Sequence, residues 1–389
     1  MSAARANVAT DRPVVLANLS RRGFLQGMTA LGGFVLAAGF TSAARAADPP
    51  KYGADGMPNG WVDDPLVFVA IAADGTVSIV CHRSEMGQGV RTGMPMIVAD
   101  ELEADWKRVR VVQAPGDEKR FGNQDTDGSR STRHFFDPMR HCGAAARTML
   151  EAAAAKRWGV PVSEVEARNH EVVHAKTRRR AGYGSLAKEA ARQPVPARDA
   201  VRLKDPSKFR YIGKGQIKLV DGRDMVTGKA MYGIDTRLPG MLYAVVARPP
   251  VYGGKVVSVD STETLKVPGV LKVVEIEPSP APAQFNPVGG VAVVARNTWA
   301  AIQGRRALKV AWDDGPNGAY DSGAFKKTLE ESARKPGKVV RDNGNVDTAM
   351  TGAAKKIDAE YYIPHLAHAP MEPPAATVRI TQGKAEVWG

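Results

Sequence analysis

The eight residues Glu85-Met86-Gly87-Gln88-Gly89-Val90-Arg91-Thr92 restrict the fold of this chain more than any other stretch. An apolar strand pattern precedes them and a helical pattern follows, so the chain must pass from strand to helix through two glycines that flank one amide side chain. Glycine reaches backbone angles that other residues resist, and it lets a ligand approach the bare chain. Gln88 adds one acceptor and two donors. The helix is expected to start near Thr92, where unpaired amide N–H groups make an anion site. A tight turn with no ligand accounts for the same residues equally well.

Residues 1–46 read as an export address. Ser20-Arg21-Arg22-Gly23-Phe24-Leu25 places two adjacent arginines before the uncharged apolar run Met28–Phe40, and Ala44-Arg45-Ala46 supplies small residues where a signal peptidase cuts. The run is short for a membrane span and resembles a twin-arginine signal, with an uncleaved anchor as the alternative. No later segment has the ~18 uninterrupted apolar residues that a spanning helix needs. The expected location is the periplasm, with no stable membrane span. Twin-arginine export carries folded proteins, which favours a cofactor inserted beforehand.

Arg5, Arg12, Arg21, Arg22 and Arg45 against Asp11 account for +4 of the net charge of +13. The remaining excess is dispersed, with one cluster over Lys176–Arg180 that no aromatic residue interleaves, so the chain is not expected to bind nucleic acid. The two cysteines, Cys81 and Cys142, lie in no Cys-x-x-Cys or Cys-x-x-Cys-His spacing, which excludes an iron–sulfur cluster or covalent haem on those patterns. They either form one disulfide or stay as two buried thiols.

The chain after residue 46 is long enough for two or three domains. Leu66–Ile71 and Thr76–Val80 read as a hairpin around Asp74-Gly75. A helix is expected over Pro95–Ala104, with Pro95 in its first turn, then a strand over Val109–Val112. The polar stretch 114–131 is too long for an idle connection. A second helix is expected over Pro138–Trp158, ending at Gly159, and Ser163–Ala167 fits either a capped turn or a strand. Gln193-Pro194-Val195-Pro196 and the charged residues after it suggest a linker over 190–215. Beyond it, strands are expected over 241–247, 256–259, 270–276, 291–295 and 308–312, with a helix over Thr298–Ala307. Further strands are expected near 358–363 and 376–380, and the chain stops in what looks like another. The fold class is α+β.

These residues resemble a known family. Gly228-Lys229-Ala230-Met231-Tyr232-Gly233-Ile234-Asp235, Leu238-Pro239-Gly240-Met241-Leu242-Tyr243-Ala244 and Val267-Pro268-Gly269-Val270 look like the a/b hammerhead domain of molybdenum hydroxylase large subunits, the xanthine dehydrogenase and aldehyde oxidase family. His365-Leu366-Ala367-His368-Ala369-Pro370-Met371-Glu372-Pro373 resembles the entry to that family's molybdopterin-binding domain. The loop at Gln88 resembles one of its cofactor contacts, and Ser129-Arg130-Ser131-Thr132 its serine-rich loop. In xanthine dehydrogenase the Met-Gly-Gln-Gly loop follows the hammerhead; here it precedes it. That permuted order, joined to a twin-arginine signal, is most similar to the branch formed by the large (beta) subunits of isoquinoline 1-oxidoreductases.

The resemblance implies a signal over 1–46, a permuted molybdopterin-binding segment over 60–200, a hammerhead domain over 215–315, and the truncated start of a second molybdopterin-binding segment over 355–389. It implies a molybdopterin cofactor, as the cytosine dinucleotide, contacted by Gly87, Gln88, Gly89, Thr92, Ser129 and Ser131. No protein side chain is expected to ligate the metal, and no iron–sulfur cluster is expected in this chain. The implied reaction is oxidation of an aldehyde or N-heteroaromatic substrate with water as the oxygen source. Implied partners are a [2Fe-2S] small subunit and a cytochrome c electron acceptor. The family's general-base glutamate lies in a Gly-rich motif near the end of a chain about twice as long, and that motif has no match here; neither Glu85 nor Glu372 substitutes for it. The chain therefore resembles the N-terminal half of such a subunit. A non-catalytic scaffold or an exported binding protein is the alternative.

Two other patterns compete for function. His365, His368 and Glu372 have the spacing of a helical metal site, but Pro364, Pro370, Pro373 and Pro374 oppose a regular helix there. His82, beside the glycine loop, is placed to touch a cofactor phosphate. His134 and His141 read as ordinary surface or core histidines.

Overall fold

A computed structural model describes residues 60–280, 282–283, 286–367 and 369–389. The expected export signal lies outside them. Helices and small sheets are mixed along the chain, which divides into two compact units, Met1–Met231 with Ala376–Gly389 and Tyr232–Ala375. No helix among the described residues is long and apolar enough to cross a membrane.

The first unit opens with a departure from the expected strand. Asp64 accepts a hydrogen bond from the Leu66 amide at 2.8 Å and Pro65 fills the first helical position, so Pro65–Phe68 forms one helical turn, α1. Only Val69–Ile71 is left for β1. The turn at Asp74-Gly75 is as expected, with Gly75 at φ +90° and Val77–Cys81 (β2) antiparallel to β1. Val109–Gln113 (β3) runs parallel to β2, so Val90–Glu101 (α2) is the crossover helix between them. Pro95 is the sixth residue of α2, not part of its first turn, and the helix runs through it.

Within the polar stretch, Glu118–Phe121 makes a single turn, α3. Helix α4 then runs from Arg130 to Trp158 and ends at Gly159 (φ +65°), with Pro138 in its interior rather than at its start. Its alanine-rich face packs against α2, where a Cβ on Gly143 would stand 2.4 Å from the Val98 carbonyl oxygen. The ambiguous segment takes the strand alternative, β4 (Val165–Arg168), after a 3-10 turn over Val162–Glu164 that follows Pro161 and has no side-chain cap. With β5 (Glu171–His174) and β6 (Arg179–Gly182) it forms an antiparallel meander before helix α5 (Tyr183–Ala190). Phe68, Ile71, Ile79, Met94, Leu102, Phe121, Phe135, Met139 and Tyr183 fill the core beneath these elements. Cys81 and Cys142 are free thiols in that core, and burial pushes the Cys81 thiol up to about 11.

The second unit holds the sheet β7–β10–β9 (Tyr243–Ala247, Val288–Ala295, Val270–Pro278), all antiparallel, and the pair β8–β11 (Lys255–Asp260, Lys309–Asp313). Asn297 caps the helix Thr298–Ala307 through the Ala300 amide, and Gly304 lets that helix approach Val270 and Val293 closely. The stretch expected as a strand near 358–363 makes no ladder. At the end of the chain, Thr377–Thr381 and Lys384–Trp388 form an antiparallel hairpin.

The segment expected as a linker is instead bound to α2. Asp100, with no exposed surface, accepts from the amides of Arg210, Tyr211 and Ile212 and from the Lys204 ammonium at 2.7 Å. Its equally buried neighbour Glu101 takes Arg140 Nε at 2.7 Å, Arg147, and the Lys204 amide. Burial alone would raise the Asp100 carboxyl, but the Ile212 amide, the Lys204 ammonium and the Tyr211 amide together hold it below its ordinary value. The linkage sign follows from that direction: the Asp100 contribution is complete above about pH 4 and is lost as pH falls through the lower folded value. Replacing Asp100 with Ala leaves three amides without their acceptor, while the Lys204 ammonium keeps Glu103 at 2.6 Å. The substitution is expected to cost about 2–3 kcal/mol. Urea melts from pH 3 to 7 check this, because the variant should also lose part of the acid-side slope.

Candidate functional site

The glycine loop stands at the carboxyl end of β2, where the chain turns into the crossover helix. Gly87 and Gly89 take φ +99° and +86°, the left-handed values expected of them. The helix starts at Val90, two residues earlier than expected, with Gly89 as its cap. The expected anion site does not stand open. Glu85 Oε1 accepts from the amides of Gly87 (2.7 Å) and Gly89 (2.9 Å), and Oε2 accepts from Arg91 N at 2.9 Å. An internal carboxylate thus occupies the positive end of the helix. A clue in the sequence is an acidic residue followed by two glycines whose amides can turn inward together.

Gln88 folds back on its own loop. Its Oε1 accepts from Met86 N at 2.6 Å and its Nε2 donates to the Ser84 carbonyl at 3.1 Å, which leaves one amide N–H and one lone pair on an exposed side chain. Thr92 is buried, and its hydroxyl accepts from the Val220 amide at 3.0 Å. Ser129, exposed at φ +57°, caps α4 without a side-chain bond. Ser131 is 7% exposed and accepts from Arg83 Nε at 3.0 Å.

The two loops meet through bonds that the sequence did not disclose. Thr126 Oγ1 accepts from Ser84 N at 3.1 Å and donates to Ser84 O at 3.0 Å. Gln124 Nε2 donates to the carbonyls of His82 and Pro115, and Gln113 Nε2 to that of Arg83. The polar stretch 114–131 is therefore stitched along residues 82–84, immediately before the glycine loop.

A search against known families matches residues 38–229 to a molybdopterin cofactor-binding domain. The chain is 35% identical, over 95% of its length, to the beta subunit of isoquinoline 1-oxidoreductase from Brevundimonas diminuta, covering 51% of that protein. It is 31% identical over 95% of its length to a membrane-bound aldehyde dehydrogenase of Gluconacetobacter polyoxogenes named for pyrroloquinoline quinone, covering 47% of it. It is 30% identical over 83% of its length to a nicotinate dehydrogenase subunit from Pseudomonas putida, covering 26% of it. The chain is of the molybdenum hydroxylase large-subunit type. It spans about half the length of the first two of these relatives.

The loop geometry fits the cofactor of this family in two respects. A Cβ at Gly87 would meet nothing within 4 Å, so its backbone faces open space, whereas a Cβ at Gly89 would strike Leu219 at 2.9 Å. Gln88 and Ser129 offer neutral amide and hydroxyl groups on exposed parts of the two joined loops. No group of three or more His, Cys, Asp or Glu side chains able to hold a metal is found among the described residues.

The rival sites do not assemble. His82 is 1% exposed and wedged between Phe68 (5.2 Å) and Phe135 (4.5 Å), so it does not reach a ligand on the loop surface. Burial, reinforced by Arg83, pushes its imidazole down to about 3, and it stays neutral. His365 Nδ1 bonds the Tyr320 hydroxyl at 3.1 Å, Glu372 accepts from the Gly233 amide, and residues 364–373 are not helical. His368 lies outside the described residues.

Because Glu85 holds three loop amides, Glu85→Ala is expected to loosen the loop by about 1–2 kcal/mol, the scale of a lost helix cap. Amide exchange at Gly87, Gly89 and Arg91 should accelerate together. Unchanged exchange at those three positions would show that the carboxylate does not hold the loop.

Proposed function

We propose that this chain is the molybdopterin-binding portion of an exported molybdenum hydroxylase that oxidises an aldehyde or an N-heteroaromatic substrate, with water as the source of oxygen. The observation that carries the reading is the joining of the Gln88 loop to the Ser129–Ser131 turn inside the matched cofactor-binding domain. The names of the relatives supply the substrate classes: isoquinoline and nicotinate are N-heteroaromatic, and one relative is an aldehyde dehydrogenase.

In this reading Gln88 contacts the cofactor through its remaining N–H, Gly87 presents bare backbone, Gly89 shapes the turn, and Ser129 donates its hydroxyl. Ser131 and Thr92 act with them from buried positions and fix the two ends of the cradle. The bound cofactor, as the cytosine dinucleotide, supplies the two-electron redox chemistry. Residues 215–315 correspond to the hammerhead domain and 355–389 to the start of the second cofactor-binding segment. Electrons leave through a [2Fe-2S] small subunit to a cytochrome c, in the periplasm, after twin-arginine export directed by residues 1–46. Turnover also needs a general-base glutamate from polypeptide beyond this chain. Tyr361, Ile363, Leu366 and Met371, all exposed apolar side chains, offer a face for such a companion to cover.

Metal analysis of the full chain, purified from a host that makes molybdenum cofactor, tests the reading. Near-stoichiometric molybdenum, a fluorescent pterin after oxidation and release of a cytidine nucleotide on hydrolysis are expected. A chain that carries no molybdenum would favour a scaffold or binding role. A quinone chromophore in place of the pterin would move it to the chemistry for which the Gluconacetobacter relative is named.

A further inference from the structure

We propose that Arg83 is the positioning residue that sets the spacing between the Gln88 loop and the Ser129–Ser131 turn. As a claim about cofactor binding, it rests on the reading of those two loops given above.

Arg83 follows β2 and precedes the glycine loop by one residue. It has no exposed surface, and it is the largest fully buried side chain among the described residues. Its fork reaches across to the second loop: Nε donates to Ser131 Oγ at 3.0 Å, and Nη1 donates to Asn123 O at 2.7 Å and to Asn123 Oδ1 at 2.6 Å. Asn123 passes the contact on through its Nδ2 to Asp125. The guanidinium lies 5.0 Å from the centre of the Phe135 ring, one turn into α4. The backbone of the same residue is fixed from the other side, because its carbonyl accepts from Gln113 Nε2 at 3.0 Å and from Cys81 Sγ.

A brace selected for stability alone would not be built this way. Burying a cation is costly unless it is paired, yet no carboxylate makes a direct bond to this guanidinium, and Nη2 has no hydrogen-bond partner among the described residues. The nearest compensating charges are Asp125 and Asp127, both in the loop being held. All three of its hydrogen bonds end on the segment that carries the serine turn. Local rules broken in this manner mark functional sites. The planar fork matters as well as the charge, since Lys carries one compact ammonium and cannot span Ser131 and Asn123 at the same angles. A shift of either loop would separate Gln88 from Ser129, and a rigid cofactor contacting both would lose one of them.

The test uses the full chain with Arg83→Met, Arg83→Lys and Ser131→Ala. In cofactor-free protein, Arg83→Met should speed amide exchange of residues 84–92 and 123–131 together by about tenfold, on the scale of one or two lost hydrogen bonds. Residues 165–182, in a separate sheet, should stay at the wild-type rate. Molybdenum content should fall in Arg83→Met and recover only partly in Arg83→Lys. If only one loop responds, or if Arg83→Met retains wild-type molybdenum content, the positioning role is overturned. If Arg83→Met disturbs the control sheet too, the double variant of Arg83→Lys and Ser131→Ala decides: non-additive loosening supports the brace and additive loosening refutes it. Wild-type protein without molybdenum would count against the proposed function alone, because exchange in the cofactor-free chain still decides for or against the brace.

Discussion

The arrangement of the first unit depends on two adjacent carboxylates buried at the wrong end of a helix. Asp100 and Glu101 close α2, where the helix dipole opposes negative charge, and neither has exposed surface. They are tolerated because cations and amides from distant segments converge on them: Arg140 and Arg147 from α4, Lys204 and the amides 210–212 from the connecting segment. Together the partners fix two elements, α4 and the connecting segment, against the same helix end. The demand of two buried charges for compensation therefore dictates where α4 lies and why residues 201–212 do not drift as a linker.

Fixing α2 at its far end has a consequence at its near end. The helix begins at the glycine loop, so its axis sets the direction in which the amides of Gly89 and Arg91 point. Glu85 holds those amides, Thr92 anchors the Val220 amide, and Arg91 reaches Asp221 at 3.5 Å. The loop is preformed by its own acid. This differs from an anion site that waits for a phosphate, and it leaves the exposed Gln88 side chain and the Gly87 backbone as the open groups of the loop.

What the sequence made legible follows from how local each signal was. The Asp74-Gly75 turn, the stop at Gly159 and the helix Thr298–Ala307 each rest on residues adjacent in the chain, and all three are present. Proline position is the weaker signal, because a proline fits both the first turn of a helix and, where packing compensates, its interior. Pro95 and Pro138 both lie inside helices that tertiary packing carries past the missing N–H, while Pro65 does sit at the first position of a helix whose residues had read as strand. The extended stretch near 358–363 had strand composition but no partner strand, and composition cannot supply a ladder. Arg83, Gln124 and Thr126 were invisible for a related reason: their meaning lies in partners 30 to 50 residues away.

Those distant partners also bear on how a cofactor can be bound by such small groups. Gln88 and Ser129 are single neutral side chains on exposed loops, and in the function proposed for them they would lose much of their binding energy to the entropy of ordering both loops if those loops were free. Here that ordering is complete before any ligand arrives. Thr126 holds Ser84, Gln124 holds His82, and Arg83 holds Ser131 and Asn123. A rigid cradle of neutral donors suits a cofactor that carries its own metal ligands, because the protein then needs to supply shape and edge contacts rather than coordinating charge.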